Sequence, residues 1–429
     1  MTSQGGRSAP TPRHAPYNEF DHYLGSSAPT NEFGTHPETA PALKNIGWTL
    51  GNDCPYRCTH CYSMNARRKG SDMSVGMIDR IVNQLAINGI ETVNLGGNEP
   101  LFTNGLDPKK SHLPYIVETL HRRGIEVGLT TSGITLLYLF RHHRPTFDLL
   151  NDVDVSFDSP FEAEHNKNRG ANIYHQAIEC LRICQEHGKP HTCIMCAMSW
   201  NFSPAHIDAL VALARRFDAN VRINPMKPVR AEHLSVALPA RLYYDGFSHL
   251  MRLCDAVDLG EPPIATVTGY RGARRCPCGR TSFRIHSITP NGEVPVSPCV
   301  YLHDYKSTLD LLRHDLVDII QSPQFRVFRQ RNANPDYVRG CAGCVHSASC
   351  GGGCSARSYL HQLHHTGEKT MLAADPYCPA KEYGGQFFPR DPRLISDQRL
   401  VHMDYLCTWI GRPKNEDGPP DSVLGDFRI

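Results

Sequence analysis

From residue 45 onward, short apolar runs alternate with helical patterns six times over. The runs fall at residues 46–50, 92–95, 126–131, 153–157, 192–197 and 221–224. Between them, Met77, Ile78, Ile81, Val82 and Leu85 keep three- and four-residue spacing before Gly89, and Ile116, Val117 and Leu120 do so before Gly124. Residues 173–187 and 204–217 are the clearest later helices, and 240–257 is expected to add another. Strands separated by helical crossovers pair in parallel. The fold class is therefore α/β, a partial (β/α)6 TIM-like barrel over residues 45–260. Such barrels carry their chemistry beyond the C-terminal ends of the strands. Polar residues fall there in turn: Gly96-Gly97-Asn98-Glu99-Pro100, Thr131-Ser132-Gly133, Ser156 and Asp158, Asn201, then Asn224 and Lys227.

After the first run comes Gly51-Asn-Asp-Cys54-Pro-Tyr-Arg-Cys58-Thr-His-Cys61-Tyr62. Three thiolates spaced C-x3-C-x2-C cannot complete a four-coordinate site. On a cubic iron–sulfur cluster they leave one iron open; the competing reading is half of a zinc site. A second block, residues 341–354, reads C-x2-C-x5-C-x3-C through Cys341, Cys344, Cys350 and Cys354. Cys378 follows it, and Cys276, Cys278 and Cys299 precede it. Structural zinc competes here too. The chain holds 17 cysteines without a signal-peptide core, which points to a reducing cytoplasm and metal ligation rather than disulfides. A net charge of +2 gives no reason to expect nucleic-acid or membrane binding, and no apolar run approaches a membrane span.

The three-cysteine loop resembles that of the radical S-adenosylmethionine (SAM) superfamily, and the resemblance covers residues 45–260. It implies a 4Fe–4S cluster on Cys54, Cys58 and Cys61 whose open iron takes the amino and carboxylate groups of SAM. It also implies adenine contact by His60, in the place of the family's aromatic. Residues 94–101 are similar to the family's Gly-Gly-Glu-Pro loop, with Gly97 and Asn98 on the two glycines and Glu99 receiving the SAM ammonium. Asn98 departs from that pattern, and asparagine tolerates a positive φ better than most residues. Ser156 and Arg169 are similar to residues that approach the SAM carboxylate and ribose; the bland alternative pairs Arg169 with Glu162 or Glu164 on the surface. Ser132 and Asn201 are weaker candidates, with turn or cap chemistry as the alternative. No catalytic acid or base is assigned.

The second block is similar to the SPASM extension of radical SAM enzymes. That resemblance implies two auxiliary 4Fe–4S clusters, three clusters in all. Cys341, Cys344, Cys350 and Cys378 would hold the outer one. Cys354, Cys299 and one or both of Cys276 and Cys278 would hold the inner one. Glycines 351–353 let the chain wrap between ligands of different clusters. The remaining Cys180, Cys184, Cys193, Cys196, Cys254 and Cys407 read as structural, since free cysteine is a good small core residue.

The domain division is then a proline-rich flexible tail at 1–44, a barrel at 45–260, a SPASM domain at 261–385 and a C-terminal extension at 386–429. The resemblance implies a 5′-deoxyadenosyl radical that abstracts hydrogen from an unactivated C–H bond. The auxiliary clusters would accept an electron from the substrate radical or serve structure alone. The leading expectation is oxidative maturation of a ribosomally made peptide or protein side chain. Radical dehydrogenation of an amino sugar or aminocyclitol is the alternative, and a non-catalytic zinc-binding protein is the alternative of another class. Residues 1–43 look too short and proline-rich for a leader-binding winged helix, so a separate leader-peptide-binding protein is a possible partner beside a flavodoxin- or ferredoxin-type electron donor. Cys299-Val300-Tyr301 lacks the acidic residue of the sulfatase-maturing branch, so formylglycine formation is not expected. Tyr301, His303 and Asp304 are candidates to face substrate, with packing as the alternative.

Overall fold

A computed structural model describes residues 43–51, 53–63, 73–270, 275–303, 305–307, 309–395, 397–403 and 405–415. The expected tail up to residue 42, Asp304 and the last fourteen residues lie outside that set. The described residues belong to one compact unit.

Six strands run in parallel and in chain order: β1 (Asn45–Trp48), β2 (Thr92–Leu95), β3 (Glu126–Thr131), β4 (Asp152–Ser156), β5 (His191–Ala197) and β6 (Asn220–Pro225). They match the six apolar runs to within a residue or two. Side chains alternate across a strand, and the two faces here differ in chemistry. Ile46, Trp48, Val93, Leu95, Val127, Leu129, Val153, Val155, Cys193, Met195, Val221 and Ile223 join the core beneath the helices. The opposite parity carries Asn94, Thr130, Ser156, Cys196, Arg222 and Asn224, which line a cavity inside the sheet's curve.

The helices follow the expected places: Val75–Ile87, Leu113–Arg122, Tyr174–Glu186 and Pro204–Arg216. Ser74 caps the first by accepting from Met77 N at 3.4 Å, and Ser203 caps the last by accepting from His206 N at 3.5 Å. One expectation is corrected. The helix proposed for 240–257 ends at Leu253, and Cys254–Leu259 is a strand, β7. Its Cys254-Asp-Ala-Val stretch keeps an apolar rhythm that fits either period.

The sheet also runs past the six strands on both sides. β8 (Ser282–Ile285) pairs in parallel with β1, and β9 (Val296–Ser297) pairs antiparallel with β8. β10 (Trp409–Pro413) lies antiparallel between β6 and β7. The cysteine-rich region and the C-terminal segment are thus parts of one sheet with the barrel.

The segment leading into β10 crosses the interior. Val401 N donates to Asp152 Oδ1 at 2.9 Å, and His402 Nδ1 lies 2.7 Å from Asp152 Oδ2. His402 Nε2 lies 3.4 Å from Asp154 Oδ2 and 3.1 Å from Thr130 Oγ1, while Arg222 Nη1 donates to Asp154 Oδ2 at 2.5 Å. A Cβ on Gly128 would come within 2.8 Å of Val401, so only glycine leaves room for this crossing. Asp152, Asp154 and His402 are close enough to hold a metal ion. However, His402 spends both ring nitrogens inside the network and Arg222 answers Asp154, so the group reads as a hydrogen-bonded clasp.

Removing one partner from such a buried set leaves a carboxylate uncompensated, at a cost of about 3–5 kcal/mol. His402→Ala should lower the unfolding free energy by about that amount in urea titrations followed by circular dichroism. A loss below about 1 kcal/mol would mean that the C-terminal segment is not clasped through this histidine.

Candidate functional site

The cysteine loop leaves β1 and folds back beside the C-terminus of helix Glu162–Arg169. Arg57 N donates to Arg169 O at 3.3 Å and Thr59 N to Asn168 O at 3.0 Å; Cys61 N closes a turn on Cys58 O at 3.2 Å. Arg57 Nη1 also donates to the carbonyls of Cys54 and Tyr56, at 2.9 and 3.0 Å. Cys54, Cys58 and Cys61 are all buried and pack together with Tyr56 and Ile173. Burial pushes the Cys58 thiol up to about 11, with Arg169 opposing and the neighbouring thiols adding to it.

Behind the loop sits a buried ion pair. Arg169 Nη2 donates to Asp158 Oδ1 at 2.8 Å and its Nε lies 2.6 Å from Oδ2. The free edge of the guanidinium turns to the cavity, where Nη1 donates to Ser132 Oγ at 3.2 Å and reaches Cys58 Sγ at 3.8 Å. The surface pairing of Arg169 with Glu162 or Glu164 is therefore not what the chain adopts. Asn168 Nδ2 donates to Asp158 Oδ2 at 2.7 Å and faces His60 Nδ1 at 2.9 Å, and His60 Nε2 stands 3.5 Å from Asp158 Oδ1. Burial lowers the His60 pKa, Asp158 resisting.

Burial alone would raise the Asp158 carboxyl; Arg169 chiefly, with His60 and His165, overrides it and holds it at about 2. That is below the free value of about 3.9. The carboxylate's stabilisation is therefore complete at neutral pH and is lost only as pH falls from about 4 toward 2.

Glu99 is buried on the β2 loop. Its Oε1 accepts from the hydroxyls of Thr131 and Thr135, the latter at 2.6 Å, and its Oε2 accepts from Ser132 N at 3.0 Å. Gly97 supplies the loop's left-handed turn at φ 103°, and a Cβ there would run into Arg284 and Thr49. Asn98 does not take a positive φ, so that expectation is corrected. Its side chain ties the two loops instead: Nδ2 donates to Gly51 O at 3.1 Å and Oδ1 accepts from Ser63 Oγ at 3.0 Å.

One cavity gathers Cys54, Cys58, His60, Cys61, Gly97, Asn98, Glu99, Ser132, Ser156 and Arg169, the predicted residues of the first site apart from Asn201. Asn201 is not among its lining. It spends its amide on backbone, donating to Asp158 O at 2.6 Å and Cys196 O at 3.0 Å and accepting from Met198 N at 2.7 Å. Lys227, Tyr301, Arg284 and Tyr405 line the cavity as well. Lys227 Nζ lies 4.8 Å from the Tyr301 ring centroid, and Tyr301 meets Tyr62 edge-on at 5.2 Å. Arg284, on β8, donates to Thr49 Oγ1 at 2.7 Å through Nε, to Gly96 O, and to Tyr405 Oη at 3.0 Å. Neither Arg284 nor Tyr405 stands in a motif, so nothing in the sequence signalled them. Tyr62, Tyr301 and His303 also line a second cavity, beside His286, Lys306 and helix Ser355–Thr366.

The second cysteine set divides in two. Cys341, Cys344, Cys350 and Cys378 act on one another electrostatically, Cys341 with Cys344 and Cys378, and Cys350 with Cys341 and Cys378. Glycines 351–353, at φ 59°, 77° and 76°, turn the chain between Cys350 and Cys354. Beyond that turn, Cys276, Cys278, Cys299 and Cys354 are all buried, and Cys276 acts on Cys278 and Cys354, and Cys278 on Cys299. Cys407, buried as well, is acted on by Cys276 and Cys354. Of the six cysteines read as structural, Cys180, Cys184, Cys193 and Cys254 lie in the core, Cys196 lines the cavity and Cys407 does neither.

Thiols gathered in sets of three and more, buried except for the half-buried Cys341, Cys344 and Cys378 and free of disulfides, are the donor set that iron–sulfur clusters take. A parallel barrel with such a trio at the C-terminal end of its first strand defines an enzyme that uses a cluster there. The chain belongs to the radical SAM superfamily, whose model matches residues 48–214, and it carries a SPASM domain, an iron–sulfur cluster-binding domain matched over 276–345. It is a radical SAM enzyme that binds iron–sulfur clusters and SAM.

Among proteins similar in sequence is mycofactocin maturase MftC of Mycobacterium ulcerans, 24% identical over 347 residues, 78% of this chain and 87% of that one. The protein of that name from Mycolicibacterium smegmatis is also 24% identical, over 78% and 82%. The fold is shared with Streptococcus suis SuiB bound to precursor peptide SuiA, with TM-score 0.55 and 17% identity over 79% of this chain and 76% of that one. It is shared too with anSMEcpe bound to AdoMet and the Kp18Cys peptide, with TM-score 0.60 and 16% identity over 80% and 94%.

Arg169→Met should cost about 3–5 kcal/mol of stability, because it strands Asp158 as a buried anion. The double variant Arg169→Met, Asp158→Asn should recover much of that loss. Denaturant titration of the wild type, both single variants and the double variant measures the coupling, and additive losses would refute it.

Proposed function

We propose that this enzyme oxidatively matures a ribosomally made peptide or protein side chain by C–H abstraction. The observation carrying this reading is the cavity itself. Its lining brings together the Cys54, Cys58 and Cys61 trio with Lys227, which donates to the Cys407 carbonyl, and Tyr301, two residues after Cys299. A substrate held between them would meet both. The relatives named mycofactocin maturase, and the fold shared with SuiB and its precursor peptide, favour a peptide over an amino sugar or cyclitol.

In this reading Cys54, Cys58 and Cys61 hold the SAM-binding cluster, which with bound SAM supplies the 5′-deoxyadenosyl radical. Glu99 receives the SAM ammonium; its Oε2 accepts a single protein donor, leaving lone-pair capacity. Arg169 and Ser132, coupled by their hydrogen bond, and Ser156 address the carboxylate and ribose, and His60 stands by the adenine. Gly97 and Asn98 shape the loop that presents Glu99. Cys341, Cys344, Cys350 and Cys378 hold an outer cluster, and Cys354, Cys299 and one or both of Cys276 and Cys278 an inner one, three in all. The barrel at 45–260, the SPASM domain at 261–385 and the extension from 386 work as one body, because their strands share a sheet. A flavodoxin- or ferredoxin-type donor supplies electrons in the cytoplasm, and a separate protein presents the leader. Among the described residues no helix is long and apolar enough to cross a membrane.

Anaerobically prepared protein should hold about twelve irons per chain, four for each cubane. The variant with Cys54, Cys58 and Cys61 all replaced by alanine should fall to about eight and make no 5′-deoxyadenosine with dithionite. Incubation with short precursor peptides encoded beside the gene should give a product lighter by two hydrogen atoms in mass spectrometry. Turnover of an amino sugar or cyclitol, with every such peptide untouched, would replace the peptide reading.

Glu99→Gln keeps the shape but removes the charge, and a charge-assisted hydrogen bond is worth about 1.5–3 kcal/mol. SAM affinity should drop about ten- to a hundredfold, read from perturbation of the cluster's EPR signal during titration. Equal affinities would show that Glu99 does not touch SAM.

A further inference from the structure

We propose that Lys227 binds substrate inside the barrel by pairing with a carboxylate of the peptide, supplied by an aspartate or glutamate side chain or by the C-terminus. The inference rests on the peptide reading and deepens it by naming the charge that the cavity selects. Four cationic side chains, Arg169, Arg222, Lys227 and Arg284, line that cavity. Two are answered within the protein, Arg169 by Asp158 and Arg222 by Asp154. Arg284 meets neutral acceptors, and among the described residues no carboxylate pairs with Lys227. The two carboxylates in the lining are already engaged. Asp158 holds Arg169, and Glu99 is held by Thr131, Thr135 and Ser132 and is assigned to the SAM ammonium. The SAM carboxylate goes to Arg169 and Ser132 in the same reading. Bound SAM therefore leaves the Lys227 charge unanswered.

Burial makes that charge matter. Lys227 is 3% exposed, and a buried cation is tolerated when a counter-charge or hydrogen bonds replace the water it has lost. Its ammonium carries three donors. One goes to the Cys407 carbonyl at 3.3 Å, and Nζ lies 4.8 Å from the Tyr301 ring centroid, close enough for the ring face to attract it. Arg284, by contrast, donates through Nε and both Nη atoms to Thr49, Tyr405 and Gly96, so its guanidinium serves the loops. Lys227 is the cation that keeps donor capacity for a ligand. Its backbone is held on both sides: Met226 N donates to Ala197 O at 3.1 Å, prolonging the pairing of β5 with β6, and Val229 N closes a turn on Lys227 O at 2.9 Å. A carboxylate taken there sits in the cavity that also holds the Cys54, Cys58 and Cys61 trio.

The test follows steady-state turnover of the short precursor peptide by the holoenzyme. The native peptide is compared with its C-terminal amide and with forms in which each Asp or Glu is changed to Asn or Gln. With wild-type enzyme, one neutralised peptide should show a KM raised about ten- to a hundredfold, the loss of one charge-assisted hydrogen bond, with kcat changed less. Its identity separates the C-terminus from a side chain as the source of the carboxylate. Lys227→Met should raise KM for the native peptide by a similar factor and no longer distinguish it from that neutralised form, whereas Lys227→Arg should restore the distinction. KM values that no neutralised peptide alters would overturn the proposal, and this arm needs no variant to fold. So would a Lys227→Met enzyme that loses the same factor with every peptide; a shifted midpoint potential of an auxiliary cluster in that enzyme would assign the lysine to the metal instead. A wild-type enzyme that leaves every peptide untouched would refute the peptide reading, and this claim with it.

Discussion

The buried pair of Asp158 and Arg169 is the interaction on which the site depends. Asp158 follows β4, Arg169 ends the helix after it, and the backbone carbonyls of Asn168 and Arg169 hold the cysteine loop. An ion pair inside a protein gains little net stability over apolar packing, because desolvation consumes most of the attraction. Its value here lies in geometry. Two bonds to one carboxylate fix the guanidinium plane, and the remaining nitrogen is left aimed at Ser132 and Cys58. His60 and Asn168 close on the same carboxylate, so one anion positions the cysteine loop, the β3 loop and the helix end together.

The second constraint is the division of each barrel strand between two solvents. One parity is packed in hydrocarbon beneath the helices, while the other faces an interior holding Asp152, Asp154, Arg222 and His402. Buried charges of this kind must be paired to be tolerated. The C-terminal segment supplies the pairing, with His402 between two aspartates and Val401 donating to one of them. The segment is therefore part of the barrel's electrostatics and not an appendage to it.

This explains which features could be read from the sequence. The six strands were legible because short apolar runs recur between helical stretches and turn residues, and the thiol trio was legible because its spacing is local. Glu99 and Ser132 were legible as residues following strands, Ser156 as the end of one, and Arg169 through the family resemblance. β10 was not: Trp409-Ile-Gly-Arg-Pro413 contains both a glycine and a proline, and it is a strand only because β6 and β7 flank it. Cys407 and His402 were invisible for the same reason, since their partners lie far away in sequence. Asn98 was assigned a backbone role by analogy with glycine, but its amide does the work, joining Gly51 to Ser63.

Continuity of the sheet decides how the two cysteine regions communicate. β8 pairs with β1 directly, so Arg284 reaches across the strand that launches the cysteine loop and grips Thr49 and the Gly96 carbonyl. The same guanidinium holds Tyr405, two residues before Cys407. A displacement of the second cysteine set would therefore have to break a strand pairing and strip a buried arginine of its acceptors. Stripping such a group costs about 1–3 kcal/mol for each lost partner. Separate domains joined by a linker could drift by several ångströms, but strands sharing a ladder cannot. The separation between the two proposed cluster sites is thus set by backbone pairing, which suits a reaction needing fixed positions on both sides of one substrate.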